Sequence, residues 1–375
     1  MLFESNNLNN IQIQNILQQQ KLQNNKKLSN QFTNYFNQNQ NNNTNSNNNQ
    51  LNINQKQIGI ELYNIISNIG QGSYGNIYLV QHKNNKKYYA MKVLNKEQLI
   101  NKNMVKYAIT EKNVMRKCNS PFVVKIYHAF QTDKYLIIII DYCPGGDLYQ
   151  YLMEQKRFDE QLSLKYLCEV LIAVEELHCN NIIYRDMKPE NIVLSTDGHI
   201  KLIDFGLSKE CNGIGVASTF CGSAVYLAPE VISKKGHNKS VDWYQFGILA
   251  YELMVGHPPF NQMERKQLYY NIQNSKVEFP DFLSENAKLL IQQLLNKNPD
   301  ERLGAGKNDA QEIKNHIFFK NVNWFDVQQK FFELPKPQCK QMFENKIEID
   351  LNQNTLKQNN FIANWYYLNE EELIM

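Results

Sequence analysis

Three glycines within six residues, Gly70-x-Gly72-x-x-Gly75, expose backbone amides without side chains in the way, which suits contact with phosphate oxygens. The spacing alone fits two arrangements. A dinucleotide-binding turn needs a helix directly after the glycines, so that its N-terminus meets the pyrophosphate. Here Asn76-Ile-Tyr-Leu-Val80 follows, a β-type segment. The loop therefore joins two strands and can fold over a nucleotide's phosphates; the plainer alternative is a glycine-rich hairpin with no ligand. Lys92 lies in the apolar strand Ala90-Met-Lys-Val, where an unpaired ammonium would be costly. It calls for a counter-ion, and Glu111, 19 residues on in a segment of helical period, is the natural supply.

The most specific segment is Tyr184-Arg185-Asp186-Met187-Lys188-Pro189-Glu190-Asn191. Asp204-Phe205-Gly206 begins thirteen residues after Asn191, and Ala228-Pro229-Glu230, Asp242-x-x-x-x-Gly247 and Arg302 come later. With the glycines, Lys92 and Glu111 in the same order, residues 63 to 319 resemble the eukaryotic protein kinases. The resemblance implies an α+β, bilobal protein kinase fold, with a small β-rich N-lobe and a larger α-helical C-lobe. It also implies ATP and Mg2+ as cofactors and protein hydroxyls as substrates. Asp186 would orient and accept the proton of the incoming hydroxyl. Lys188 would neutralise the migrating phosphoryl group, while Lys92, paired with Glu111, would offset charge on the phosphates. Asn191 and Asp204 offer the hard oxygens that magnesium prefers while it keeps several waters. The implied nucleotide pocket comprises Ile69, Gly70, Gly72, Ser73, Gly75, Ile77, Ala90, Lys92, Asp141 and Cys143, the last two in a hinge whose backbone meets adenine.

Lys188 after Asp186 resembles the serine/threonine branch. Tyr184-Arg-Asp, Thr219-Phe-Cys-Gly-Ser-Ala-Val-Tyr-Leu-Ala-Pro-Glu230 and Asn298-Pro-Asp-Glu-Arg-Leu-Gly304 resemble the AGC group, relatives of the cyclic-nucleotide-dependent kinases. That likeness implies an activating phosphate on Thr219, added by an upstream kinase, with Arg185 and Lys209 as its cationic partners. It also implies an acidic substrate pocket at Asp147, Glu190 and Glu252 that favours basic residues before the target Ser/Thr. Gly222-Ser-Ala-Val-Tyr226 departs from the group pattern: Ser223 keeps a hydroxyl for the catalytic loop, whereas Ala224 and Val225 replace a Pro and a carboxylate.

Positioning these groups requires strands first and helices later. Strands are expected at 63–69, 76–80 and 87–94, with two more ending in Tyr135-Leu-Ile-Ile-Ile-Ile140. Helices are expected at about 102–117, 147–155, 160–180, 240–256, 264–273 and 284–296. The domains follow: an Asn/Gln-rich region over 1–57, a kinase domain over 63–319 divided near 141/142, and an AGC-like tail over 320–375. In the first 57 residues, 32 are Asn or Gln, too polar to offset chain entropy by burial, so this region is expected to stay disordered. His316-Ile-Phe-Phe319, Asn323-Trp-Phe-Asp326 and Pro335-Lys-Pro337 resemble the start of the AGC tail. Phe361-Ile-Ala-Asn-Trp365-Tyr-Tyr367 is apolar for a polar tail and carries no Ser or Thr. It is expected to dock beside the Glu111 helix through Phe361, Trp365 and Tyr366, without a Ser/Thr switch.

Composition limits the alternatives. Lys+Arg 40 against Asp+Glu 37 leaves +3, too thin for a nucleic-acid partner or a polybasic anchor. No run approaches the roughly 18 apolar residues of a spanning helix, so no integral membrane association is expected. The start lacks a signal-peptide pattern, and Leu2 argues against myristoylation. Seven cysteines without a Cys-x-x-Cys pair argue against a disulfide framework or a zinc site, and Cys143 and Cys221 are taken as inert thiols. An intracellular, cytoplasmic protein is expected. Two other functions compete: a nucleotide-gated scaffold, which intact Lys92, Asp186 and Asp204 oppose, and an assembly protein built on the Asn/Gln tract.

Overall fold

The computed structural model describes residues 59–72, 75–210, 223–339 and 361–369. The Asn/Gln-rich region, Ser73, Thr219 and Cys221 lie outside the described residues. Strands β1 (Tyr63–Gly72), β2 (Gly75–His82) and β3 (Tyr88–Asn95) form an antiparallel meander. The Asn95 side chain then accepts a hydrogen bond from the Gln98 amide, capping a short helix α1 (Lys96–Asn101). Helix α2 (Val105–Lys117) carries Glu111. It starts three residues later than the sequence period suggests, because Lys102 closes α1 and Asn103 takes the left-handed φ of 55°. The helix α1 itself is not marked by that period.

Strands β4 (Ile126–Gln131) and β5 (Tyr135–Asp141) follow, and β5 lies between β3 and β4. Leu136, Ile137, Ile138 and Ile139 are therefore fully buried, which accounts for the unbroken apolar run.

Helices dominate the second lobe. They are α3 (Leu148–Gln155), α4 (Glu160–Cys179), α5 (Pro229–Ile232), α6 (Ser240–Val255), α7 (Arg265–Asn274), α8 (Glu285–Leu294), α9 (Ala310–Lys314) and α10 (Trp324–Gln328). Asp147, Asp159 and Ser284 cap α3, α4 and α8 by accepting from backbone amides three residues on. Helix α6 is buried on every side from Ser240 to Met254 and forms the axis on which the lobe packs. No helix among the described residues is long and apolar enough to cross a membrane. The architecture is the expected α+β, two-lobed one.

Two short ladders hold the chemistry-bearing loops. Strands β6 (Ile182–Ile183) and β9 (Lys209–Glu210) pair, as do β7 (Ile192–Leu194) and β8 (Ile200–Leu202). Residues 184–191 and 203–208 are thereby forced side by side. The Tyr184 hydroxyl donates to the Ile203 carbonyl at 2.6 Å and the Ser208 hydroxyl to the Tyr184 carbonyl at 3.3 Å. A last strand, β10 (Tyr367–Leu368), comes from the tail and pairs antiparallel with β4, completing the order β1-β2-β3-β5-β4-β10.

Candidate active site

Strand register places Lys92 opposite Ile77 of β2 and Ile138 of β5, facing α2. Its Nζ donates to both oxygens of Glu111, at 2.6 and 2.8 Å. Burial works against the ammonium, but Glu111 and Asp204 outweigh it and hold the Lys92 pKa above its ordinary value. The Asp204 carboxylate thus acts on the Lys92 charge. In the glycine loop, a Cβ on Gly75 would lie 1.8 Å from the Val93 carbonyl oxygen, so close approach of β3 requires glycine there. Gly70 and Gly72 meet nothing nearer than 3.8 and 3.6 Å, so protein packing does not require them to be glycine. The room they leave suits a ligand approaching the backbone.

Asp186 is 6% exposed, and its side chain is held from two directions. Asn191 Nδ2 donates to Asp186 Oδ2 at 2.7 Å and to its carbonyl at 2.8 Å, while Lys188 Nζ lies 3.1 Å from Oδ2. Lys188 also donates to Ser223 Oγ at 3.1 Å, linking the catalytic segment to the chain before α5. Since Asn191 Nδ2 is committed to Asp186, its amide oxygen is the atom left for a cation. With exposed Asp204 it offers hard oxygens of the kind magnesium takes, and waters and phosphate oxygens would complete such a site. Asp204 and Arg185 both adopt positive φ, 58° and 71°, a sparsely populated conformation for non-glycine residues.

Helix α6 supports the loop from below. Asp242 accepts the amides of Tyr184 and Arg185, both at 2.8 Å, and Gln245 bonds the carbonyl of Arg185 and the amide of Met187. His178 on α4 bridges Asp242 at 2.9 Å and Asp309 at 3.0 Å. Burial opposes its charge, yet hydrogen bonds to the two carboxylates raise its pKa. Arg302 makes a buried bidentate pair with Glu230 at 2.8 and 2.9 Å.

Other residues singled out in the sequence fall around this centre. Ala90 is buried, Ile77 half-buried and Ile69 exposed at 42%. The Asp141 carboxylate is turned into the protein, accepting from the Lys125 amide, the Tyr127 hydroxyl and Lys201 Nζ. Only its backbone is left for a nucleotide. Burial, reinforced by Asp141, pushes the Cys143 thiol up to about 12, which makes it inert. Of the three substrate-pocket acids, Glu190 is exposed, Asp147 caps α3, and Glu252 is buried and accepts a hydrogen bond from the Tyr226 hydroxyl. Arg185 donates Nε–H to the Leu207 carbonyl at 2.7 Å. Its Nη1 and the Nε2 of His237 are buried with no hydrogen-bond partner among the described residues.

The protein kinase domain family matches residues 63–319. The chain belongs to the protein kinase family. It is 40% identical over 300 residues to "Protein kinase 3" of Dictyostelium discoideum (76% of this chain, 33% of that protein). It is 39% identical over 284 residues to the "RAC family serine/threonine-protein kinase homolog" of the same organism (75% and 63%). It is 42% identical over 266 residues to "Ribosomal protein S6 kinase alpha-3" of Mus musculus (70% and 36%). The chain thus spans from a third to somewhat under two thirds of these relatives' lengths. RAC and S6 kinases are AGC kinases, in line with the group read from the sequence.

The kinase's tail segment 361–369 lies against α2 at Lys112, the residue after Glu111. Trp365 is fully buried and donates Nε1–H to the Phe130 carbonyl at 2.8 Å. Gln131 brackets Ile362, donating to its carbonyl at 2.9 Å and accepting its amide at 3.0 Å. Lys112, next to Glu111, donates to the Asn364 carbonyl and lies 5.7 Å from the Trp365 ring centroid. Sequence reasoning misses Lys112, Gln131, His178, Asp309, His237 and Gln245 as contributors. Their partners are distant in the chain, and no local spacing marks them.

Proposed function

We propose that this chain is a protein serine/threonine kinase that transfers the γ-phosphoryl group of ATP to protein hydroxyls. The observation that carries this reading is the Asp186 carboxylate, fixed by Asn191 and Lys188 within a loop that Asp242 and Gln245 hold from beneath. One Asp186 oxygen takes the hydroxyl proton while the hydroxyl oxygen attacks the γ-phosphorus, and the bond from that phosphorus to the β,γ-bridging oxygen breaks to release ADP. Lys188, tied to Ser223, offsets charge on the moving group. Lys92, kept charged by Glu111, holds the phosphates beneath the glycine loop. Mg2+ held by Asn191 and Asp204 would neutralise phosphate charge. Asp186→Asn should lower kcat by roughly 100- to 10,000-fold in a peptide-phosphorylation assay with ATP and magnesium. A variant with wild-type turnover removes the assignment.

The finer reading covers sites preceded by basic residues, recognised by Asp147, Glu190 and Glu252, and intracellular signalling from the cytoplasm. Carboxylates pair well with arginine forks, and Glu190 adds to the upward shift of the Glu252 carboxyl. An upstream kinase would phosphorylate Thr219. The buried Arg185 Nη1 supports this, since an unmatched guanidinium N–H is what a phosphate dianion would satisfy. A degenerate-peptide screen tests the preference, and equal rates on acidic and basic peptides would refute it.

A further inference from the structure

Gln245 brackets the catalytic aspartate. It lies on α6 three residues after Asp242 and is 1% exposed. Its Oε1 accepts the Met187 amide at 3.1 Å, and its Nε2 donates to the Arg185 carbonyl at 3.0 Å. These are the backbone groups on either side of residue 186. The amide fits only this way round, because an N–H needs an acceptor and a carbonyl a donor. The two bonds close a ring around Asp186 and set the peptide planes flanking its Cα. What remains is rotation of the Asp186 side chain, and Asn191 and Lys188 hold that.

We propose that Gln245 is a positioning residue for the phosphoryl transfer, acting through the backbone of Asp186; this rests on reading Asp186 as the base. Arg185 carries φ of 71°, a conformation that persists only where its surroundings over-determine it. Asp242 fixes the amide of Arg185 and Gln245 its carbonyl, so the residue is tied at both ends. A shorter or apolar side chain at 245 leaves the Arg185 carbonyl and the Met187 amide without partners in a buried site. Arg185 is then free to relax, and the Asp186 Cα swings with it. The groups assigned to ATP sit on other elements: the glycine loop, β3 and the hinge. Losing Gln245 therefore acts on the transition state and not on nucleotide binding.

The test uses the full chain with Gln245→Leu, which keeps volume, and Gln245→Glu, which keeps shape. Each is made alone and with Asp186→Asn. Misplacing a catalytic group by ~1 Å can cost on the order of 100-fold, so Gln245→Leu should lower kcat at least about tenfold, with KM for ATP and peptide within about twofold. In the Asp186→Asn background the same change should cost nothing further, since no carboxylate remains to be placed. Hydrogen exchange at the Met187 amide should speed up while that in α4 stays as it was. In Gln245→Glu the ionised carboxylate keeps the Met187 bond and loses the donor to Arg185; protonation restores the donor. Activity of that variant relative to wild type should rise between about pH 8 and pH 6, as expected for a carboxyl whose pKa is raised by burial. Wild-type kcat in Gln245→Leu, an equal proportional loss in the Asp186→Asn background, or a loss confined to KM would overturn the proposal. Should Gln245→Leu fail to fold, a flat pH ratio for Gln245→Glu overturns it alone. Wild-type turnover of Asp186→Asn itself would remove the base reading, and the proposal with it, whatever the Gln245 variants do.

Discussion

Burial pushes the Glu252 carboxyl upward, the Tyr226 hydrogen bond opposes this, Glu190 adds to it, and the group titrates at about 7. It is mostly neutral below that pH and anionic above it. If it binds substrate arginine, KM for an arginine-containing peptide should fall several-fold between about pH 6 and pH 8. A peptide without basic residues should show no such trend, and Glu252→Gln should flatten it. Steady-state kinetics of the two peptides across that range decide the matter; identical pH profiles would end the idea. The sign for stability is the reverse. A carboxyl whose pKa rises on folding favours the folded state below the ordinary carboxylate range, and that contribution is lost as pH rises through about 7. At this scale Asp186, Lys188, Asn191 and Asp204 are legible in the sequence, because they stand close together in characteristic types. Of the triad His178, Asp242 and Asp309, the sequence marks only Asp242, and not its two partners. His178 and Asp309 are far apart in the chain, and each alone reads as an ordinary surface or capping residue.

Among the elements, the tail segment has the clearest energetic consequence. Trp365 packs into the main core, and Arg116 lies 5.1 Å over the Tyr367 ring. Removing a buried tryptophan side chain costs about 3–5 kcal/mol, so Trp365→Ala should lower the melting temperature. Because Lys112 holds the tail and its neighbour Glu111 holds Lys92, activity should fall as well. Truncation after Asn360 should do the same. Thermal denaturation and peptide phosphorylation check both readouts, and unchanged values in the truncated kinase would dismiss the coupling. The aromatic density of 361–367 makes the docking of Trp365 legible in the sequence, but Phe361, expected to dock with it, is 43% exposed. The receptors of the segment are not legible, since Lys112 in a helical period reads as a solvated lysine and Gln131 as an ordinary strand residue. The missed helix α1 has a similar cause: six mostly polar residues carry too little apolar period to show.

For the molecule as a whole, the order of strands and then helices is enough to read the two lobes, whereas the strand register comes from the structure alone. The sequence does not foretell that the tail segment adds a strand, β10, to the first lobe's sheet. Regulation belongs to this scale too, because the proposed phosphate on Thr219 is read as the partner of Arg185 in the catalytic loop. Thr219→Ala should lower activity at least about tenfold, with phosphosite mapping of active enzyme alongside; full activity in that variant would dispose of the switch. The pairing of β10 with β4 has one more consequence. It shields a sheet edge that would otherwise present a row of free amides and carbonyls, and β4 is nearly all buried on its side chains. An open edge of that kind is a template for adding foreign strands. The tail segment therefore also acts as a guard against aggregation, in a chain whose other end carries 32 Asn and Gln residues in its first 57.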